Sequence, residues 1–168
     1  MDQGRINICP CPGCGASVPE TEGPTHRYIG ASPGCWEVFG EVLAKEYGDY
    51  RYWPVHRMTV DAYAAQHPGT PSPQSINSVA VHLISLYLTL ERGEPDNRVV
   101  KEMQRAADLG RESFFWLDPP GSLGEVTVLD VRQAKTPTEH KEVVERWAKS
   151  VWKAWGQHRE TIRQWTER

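Results

Sequence analysis

Residues 75–92 read SINSVAVHLISLYLTLER, and this stretch decides the fold. Ile76, Val79, Ala80, Leu83, Tyr87 and Leu90 recur at the three- and four-residue steps of one helix face. Val81, Ile84, Leu86 and Leu88 extend the apolar surface most of the way round, and Gly93 supplies a stop. A helix that is apolar on nearly every side has to be covered by other elements. The rod is therefore expected at the centre of a bundle. Its apolar part, Val79 to Leu90, is too short to span a bilayer and is interrupted by His82, Ser85 and Thr89.

The flanking segments supply the cover. Ser32-Pro33 reads as an N-cap followed by a proline at the first helical position, and Trp36, Phe39, Leu43 and Tyr47 follow at helical spacing as far as Gly48. Thr59 is expected to cap a short helix through Gln66, ended by Pro68. Asn97 to Leu109 forms an amphipathic helix on Val100, Met103 and Ala107. Thr136-Pro137 opens a last helix expected to reach about Thr166, with Val144, Trp147, Val151 and Trp155 as its stripe. The segment from Asp49 to Met58 is aromatic and irregular, and the proline-rich stretch from His67 to Gln74 is loop. Weak alternation over Glu125 to Val131 predicts the one strand or short hairpin. The expected fold is mainly α: a helical bundle with an N-terminal zinc knuckle, in a single domain of 1–168 with a metal-bound loop at 1–31 and a helical core at 32–168.

The loop at 1–31 carries proline, glycine and cysteine with little apolar periodicity, so something other than a core must order it. Cys11 and Cys14 flank a Pro-Gly turn at the spacing that lets two thiolates reach one ion, which is half of a zinc site. Cys35 is the natural third ligand, in the first turn of the Ser32 helix, where free amides favour a thiolate. His26 is the expected fourth, giving C-x2-C-x11-H-x8-C, with Cys9, His56 and His67 as alternatives. The plain alternative is free thiols in a loop, and a third reading makes Cys35 a nucleophile beside a histidine.

His56, Asp61, His67 and His82 form a second constellation, whose residue types suit a catalytic metal or acid–base chemistry. His82 shares a polar row with Ser78, Ser85 and Thr89 on the apolar rod. A buried polar row must find partners, so it is expected to face His56, Asp61 or His67 across a polar cavity. The plain alternative is a satisfied core histidine.

Composition narrows the classes. Net charge is −3 with charge well mixed, which disfavours duplex nucleic acid as a partner, since counterion release needs a basic face. Met1 to Ile8 holds no apolar run, so no signal peptide and no membrane partner are expected. In a cytoplasmic setting four cysteines serve better as zinc ligands than as disulfides.

The chain also resembles a bacterial family known only as a domain of unknown function. The resemblance rests on CPGCG at 11–15, PTHRY at 24–28, SPGCW at 32–36, HRMTVDAYAAQHP at 56–68, SVAVHL at 78–83 and WAKSVW at 147–152. It spans nearly the whole chain and implies one domain and the same ligand list, without a reaction. Two functional classes remain. One is a structural-zinc binding or interaction module with a protein or small-molecule partner, as monomer or homodimer. The other is a zinc-dependent, hydrolase-like enzyme in which three protein ligands leave a place for water.

Overall fold

The computed structural model describes residues 6–168; residues 1–5 of the segment read for a leader lie outside it. The chain runs through a two-stranded hairpin, β1 (Ile8–Pro10) and β2 (Ser17–Pro19), and then seven α-helices. These are α1 (Pro33–Gly48), α2 (His56–Gln66), α3 (Pro73–Leu90), α4 (Asp96–Leu109), α5 (Val128–Gln133), α6 (Pro137–Ala154) and α7 (Arg159–Thr166). Among the described residues no helix is long and apolar enough to cross a membrane.

Helix starts follow local chemistry. Ser32 Oγ accepts the Cys35 amide, with Pro33 at the first position of α1. Ser72 and Ser75 form a reciprocal capping box ahead of α3, two residues earlier than the apolar pattern begins. Thr136 accepts from the Glu139 amide at the start of α6.

The rod α3 is central as expected. It packs against α2, α4, α6 and α7, and Leu83, Ile84 and Leu86 lie in the core. One apolar cluster runs from Cys11 and Val18 of the hairpin through Val42, Tyr63 and Leu83 to Trp147, Trp155 and Trp165. The hairpin is antiparallel, with Cys9 opposite Val18, and fully buried Val18 lays it on the start of α1. Gly34 permits that approach: a Cβ there would lie 2.3 Å from the carbonyl oxygen of Pro19.

Three expectations are corrected. Glu125–Val131 is no strand: Thr127 and Asp130 form a capping box and start α5, while the strands lie in the segment read as loop. Helix α2 begins at His56, and Thr59 is inside it, donating to Glu46 and to the Val55 carbonyl rather than capping. The last helix stops at Ala154; a 3₁₀ turn at Gly156–His158 redirects the chain into α7, where Arg159 clamps Glu91 at the C-cap of α3.

Candidate metal centre

The knuckle occupies the turn of the hairpin. The Cys11 amide donates to the Ala16 carbonyl at 2.9 Å and the Gly15 amide to the Cys11 carbonyl at 2.8 Å, which folds Cys14 back beside Cys11. Gly15 takes the left-handed φ of +73° that this return requires. Cys35 enters from the first turn of α1, held by the Ser32 cap. His67 enters from the residue after α2. Its Nδ1–H donates to the Tyr63 carbonyl at 2.7 Å, which turns Nε2 toward the sulfurs, 3.5 Å from Cys35 Sγ. Cys14 Sγ stands 3.8 Å from Cys35 Sγ. One ligand atom from each of Cys11, Cys14, Cys35 and His67 lies within 4.8 Å of all the others, and this Cys3His group can hold a metal ion.

Close backbone approaches bring these segments together. A Cβ on Gly13 would lie 2.4 Å from His67 Cδ2 and 2.7 Å from the Gly30 carbonyl, so only glycine lets the knuckle seat against the imidazole. The Gly30 amide donates to the His67 carbonyl at 3.0 Å, tying the 20–31 segment to the same residue. Trp147 of α6 and Trp155, just after it, fix the end of α2. Trp147 Nε1 donates to Gln66 Oε1, and Trp155 Nε1 to the Ala65 carbonyl, each at 2.9 Å. Gln66 in turn donates to the Leu123 and Val126 carbonyls. A cleft of about 630 Å³ lies beside the knuckle, between Gly13, Thr70 and the Pro119–Leu123 turn.

The electrostatics fit a cation. Cys11 is held far below the ordinary thiol range, first by hydrogen bonds from the Cys14 and Cys35 side chains and further by His67 and the Cys14 backbone. Cys35 is pushed far up, because its proton serves Cys11 and Cys14 and because it is buried. Burial works against a charged His67, yet the Cys11 and Cys14 sulfurs outweigh it and push the ring up to about 9. Burial also pushes Tyr63 up, so its hydroxyl remains a donor, 3.5 Å from Cys35 Sγ. A thiolate crowded by thiols and an imidazolium is a site where protons stand in for a positive ion.

The group therefore contains three of the four expected ligands, and its fourth member is His67 rather than His26. His26 packs its ring on Tyr28 and Trp36, with centroids 4.2 and 5.7 Å away. Cys9 stands opposite Val18 in the hairpin and is not a member of the group. The second constellation does not assemble as one. His56 Nδ1 donates to Glu46 Oε2 at 2.8 Å, His67 joins the cysteines, and only Asp61 meets His82, at 2.8 Å. Sequence reasoning missed Glu46, which is fully buried and also accepts from His140 Nε2 at 2.8 Å and Thr59 Oγ1 at 2.5 Å. It missed Arg57 as well, which joins Asp61, Ser85, Thr89 and Asp96. A signal existed for Glu46: it continues the buried series Cys35, Val38, Val42 on α1.

Fold and site together define a mostly helical protein with an N-terminal hairpin and a Cys3His group able to hold a metal. The chain belongs to a family of unknown function (DUF5946), whose model matches residues 9–156 and so spans all four members of the group. No curated protein and no solved structure is significantly similar to the chain.

Proposed function

We propose that the chain is a zinc-binding module in which Cys11, Cys14, Cys35 and His67 hold a structural zinc that pins the N-terminal hairpin to the helical core. The observation that carries this is the spacing of the donors. A tetrahedron with Zn–S of about 2.3 Å and Zn–N of about 2.05 Å has S–S edges near 3.8 Å and S–N edges near 3.5 Å. Cys14 and Cys35 sulfurs are 3.8 Å apart, and Cys35 Sγ to His67 Nε2 is 3.5 Å. Soft thiolates with one imidazole suit zinc over magnesium or calcium. Four protein donors also favour a closed structural site over a hydrolytic one, which keeps a position for water. The Tyr63 carbonyl and hydroxyl support two of the four donors, as outer-shell partners do in such centres.

Such a module acts through a partner, a protein or a small molecule. The net charge of −3 disfavours duplex nucleic acid. Elemental analysis of protein expressed with zinc supplement tests the reading. About one zinc per chain is expected, together with a lower melting temperature and protease-sensitive N-terminal segment in Cys14→Ser. A folded chain with no transition metal and freely titrating thiols would refute it.

A further inference from the structure

A second site lies on the other side of Tyr63. His82 Nδ1 pairs with Asp61 Oδ1 at 2.8 Å. The other oxygen, Asp61 Oδ2, accepts from Ser85 Oγ at 2.5 Å and from Arg57 Nη1 at 3.2 Å. Arg57 Nη1 also donates to Ser85 Oγ and Thr89 Oγ1, and Nη2 to Asp96. Asp61 is thus fully engaged, and Arg57 balances its charge. A carboxylate only accepts, so in neutral His82 the proton belongs on Nδ1 and the lone pair on Nε2. Among the described residues Nε2 has no protein partner, and the side chain is 19% exposed.

The ring of His82 lines a cleft of about 230 Å³ whose walls include Trp36, Phe39, Tyr63 and Tyr28, with Ser78 one helical turn before His82. No Lys, Arg, Asp or Glu lines this cleft; its titratable side chains besides tyrosine are His82 and His26, whose ring packs on Tyr28 and Trp36. The Phe39 and Tyr63 rings stack on each other at 3.7 Å, which closes their facing sides to a guest, and Trp36 stands beside both. A cavity of about 150 Å³ suffices for benzene, so this cleft takes one substituted ring.

We propose that the cleft binds a small aromatic molecule bearing a hydroxyl, whose O–H donates to His82 Nε2 while its ring packs against Trp36 and Tyr63. Asp61 is the positioning residue that fixes the imidazole. The site stands whether or not the cysteine group holds zinc.

The test is an NMR titration of the full, isotope-labelled chain with phenol at about pH 8. Anisole, the same ring with its hydroxyl methylated, is the comparison. Phenol is expected to saturate while shifting the Trp36 indole and His82 ring signals. Anisole, and phenol with the His82→Ala chain, are expected to bind about tenfold more weakly, the loss of one hydrogen bond. Equal binding of phenol and anisole would overturn the proposal. So would the absence of saturation, or shifts confined to Val100 and Met103 in the neighbouring cleft that His82 also lines. Should His82→Ala fail to fold, the intact chain still decides. Its His82 nitrogen spectrum must show an unprotonated Nε2 that responds to phenol and not to anisole, and a protonated Nε2 refutes the site.

Discussion

Gly13→Ala should cost the protein its metal, although Gly13 supplies no ligand. The added Cβ would stand 2.4 Å from His67 Cδ2, 2.7 Å from the Gly30 carbonyl and 3.1 Å from the Gln66 carbonyl. None of these can yield easily. The His67 ring is fully buried and pinned by Tyr63, and the other two are backbone. Ordinary carbon contacts need about 3.5 Å, so knuckle and imidazole must part by about 1 Å. Metal–ligand distances tolerate only about 0.2 Å. Overpacking alone costs about 1–3 kcal/mol, which lowers the melting temperature of a chain this size by about 2–4 °C per kcal/mol. Gly15→Ala is the control: its φ of +73° makes an alanine strained, but nothing lies within 4 Å of the new Cβ. It should lose about 1–2 kcal/mol and keep its metal. Zinc content by elemental analysis and melting with and without chelator measure both. A Gly13→Ala chain that loads zinc like the parent would refute the claimed seating of the knuckle on His67.

His67→Ala should lose zinc affinity by orders of magnitude against a colorimetric chelator while His26→Ala leaves it within a few-fold; the reverse ranking would restore His26 as ligand. Protons compete with the metal, so affinity should rise with pH. Because His67 is pushed up to about 9 in the metal-free protein, its share of that rise should continue to about pH 9 and then stop, where an ordinary imidazole would stop near about 6.5. Chelator competition across pH, compared with His67→Ala, measures that share, and a plateau already at pH 7 would contradict it. Glu46→Ala strands the His56, His140 and Thr59 donors in the core and should cost about 3–5 kcal/mol in urea unfolding; a loss below about 1 kcal/mol would show that these groups find other partners.

What the sequence disclosed tracks how local the physics is. Ser32-Pro33 and Thr136-Pro137 mark helix starts because a cap and a proline act within four residues. The apolar surface of α3 announces a buried rod from its own eighteen residues. Val126, Val128 and Leu129 fit either period, and the Thr127–Asp130 capping box settles the matter for helix. The strands are three residues each and end in proline, too short to carry a period. Cys11, Cys14 and Cys35 are legible as members of the group because a turn and a helix start position them. In the sequence His67 is one alternative among several for the fourth place, because it arrives through tertiary packing: the Gly13 approach and the Trp147 and Trp155 bonds that hold the end of α2. The polar row of α3 is expected from the sequence to face His56, Asp61 or His67 across a polar cavity; His82 and Ser85 instead bond directly to Asp61, with no cavity between them. The cation that balances Asp61, Arg57, lies on α2 one turn before it, a local i,i+4 signal, whereas the bonds of Arg57 to Ser85, Thr89 and Asp96 exist only once the helices are packed together.

Zinc K-edge X-ray absorption on the purified protein tests the metal centre most directly. Three sulfur scatterers at about 2.3 Å and one imidazole nitrogen at about 2.0–2.1 Å are expected, unchanged in His26→Ala and reduced by the nitrogen in His67→Ala. A shell with two sulfurs and additional oxygen, or a sphere with an exchangeable water in place of the imidazole, would contradict a closed Cys3His site.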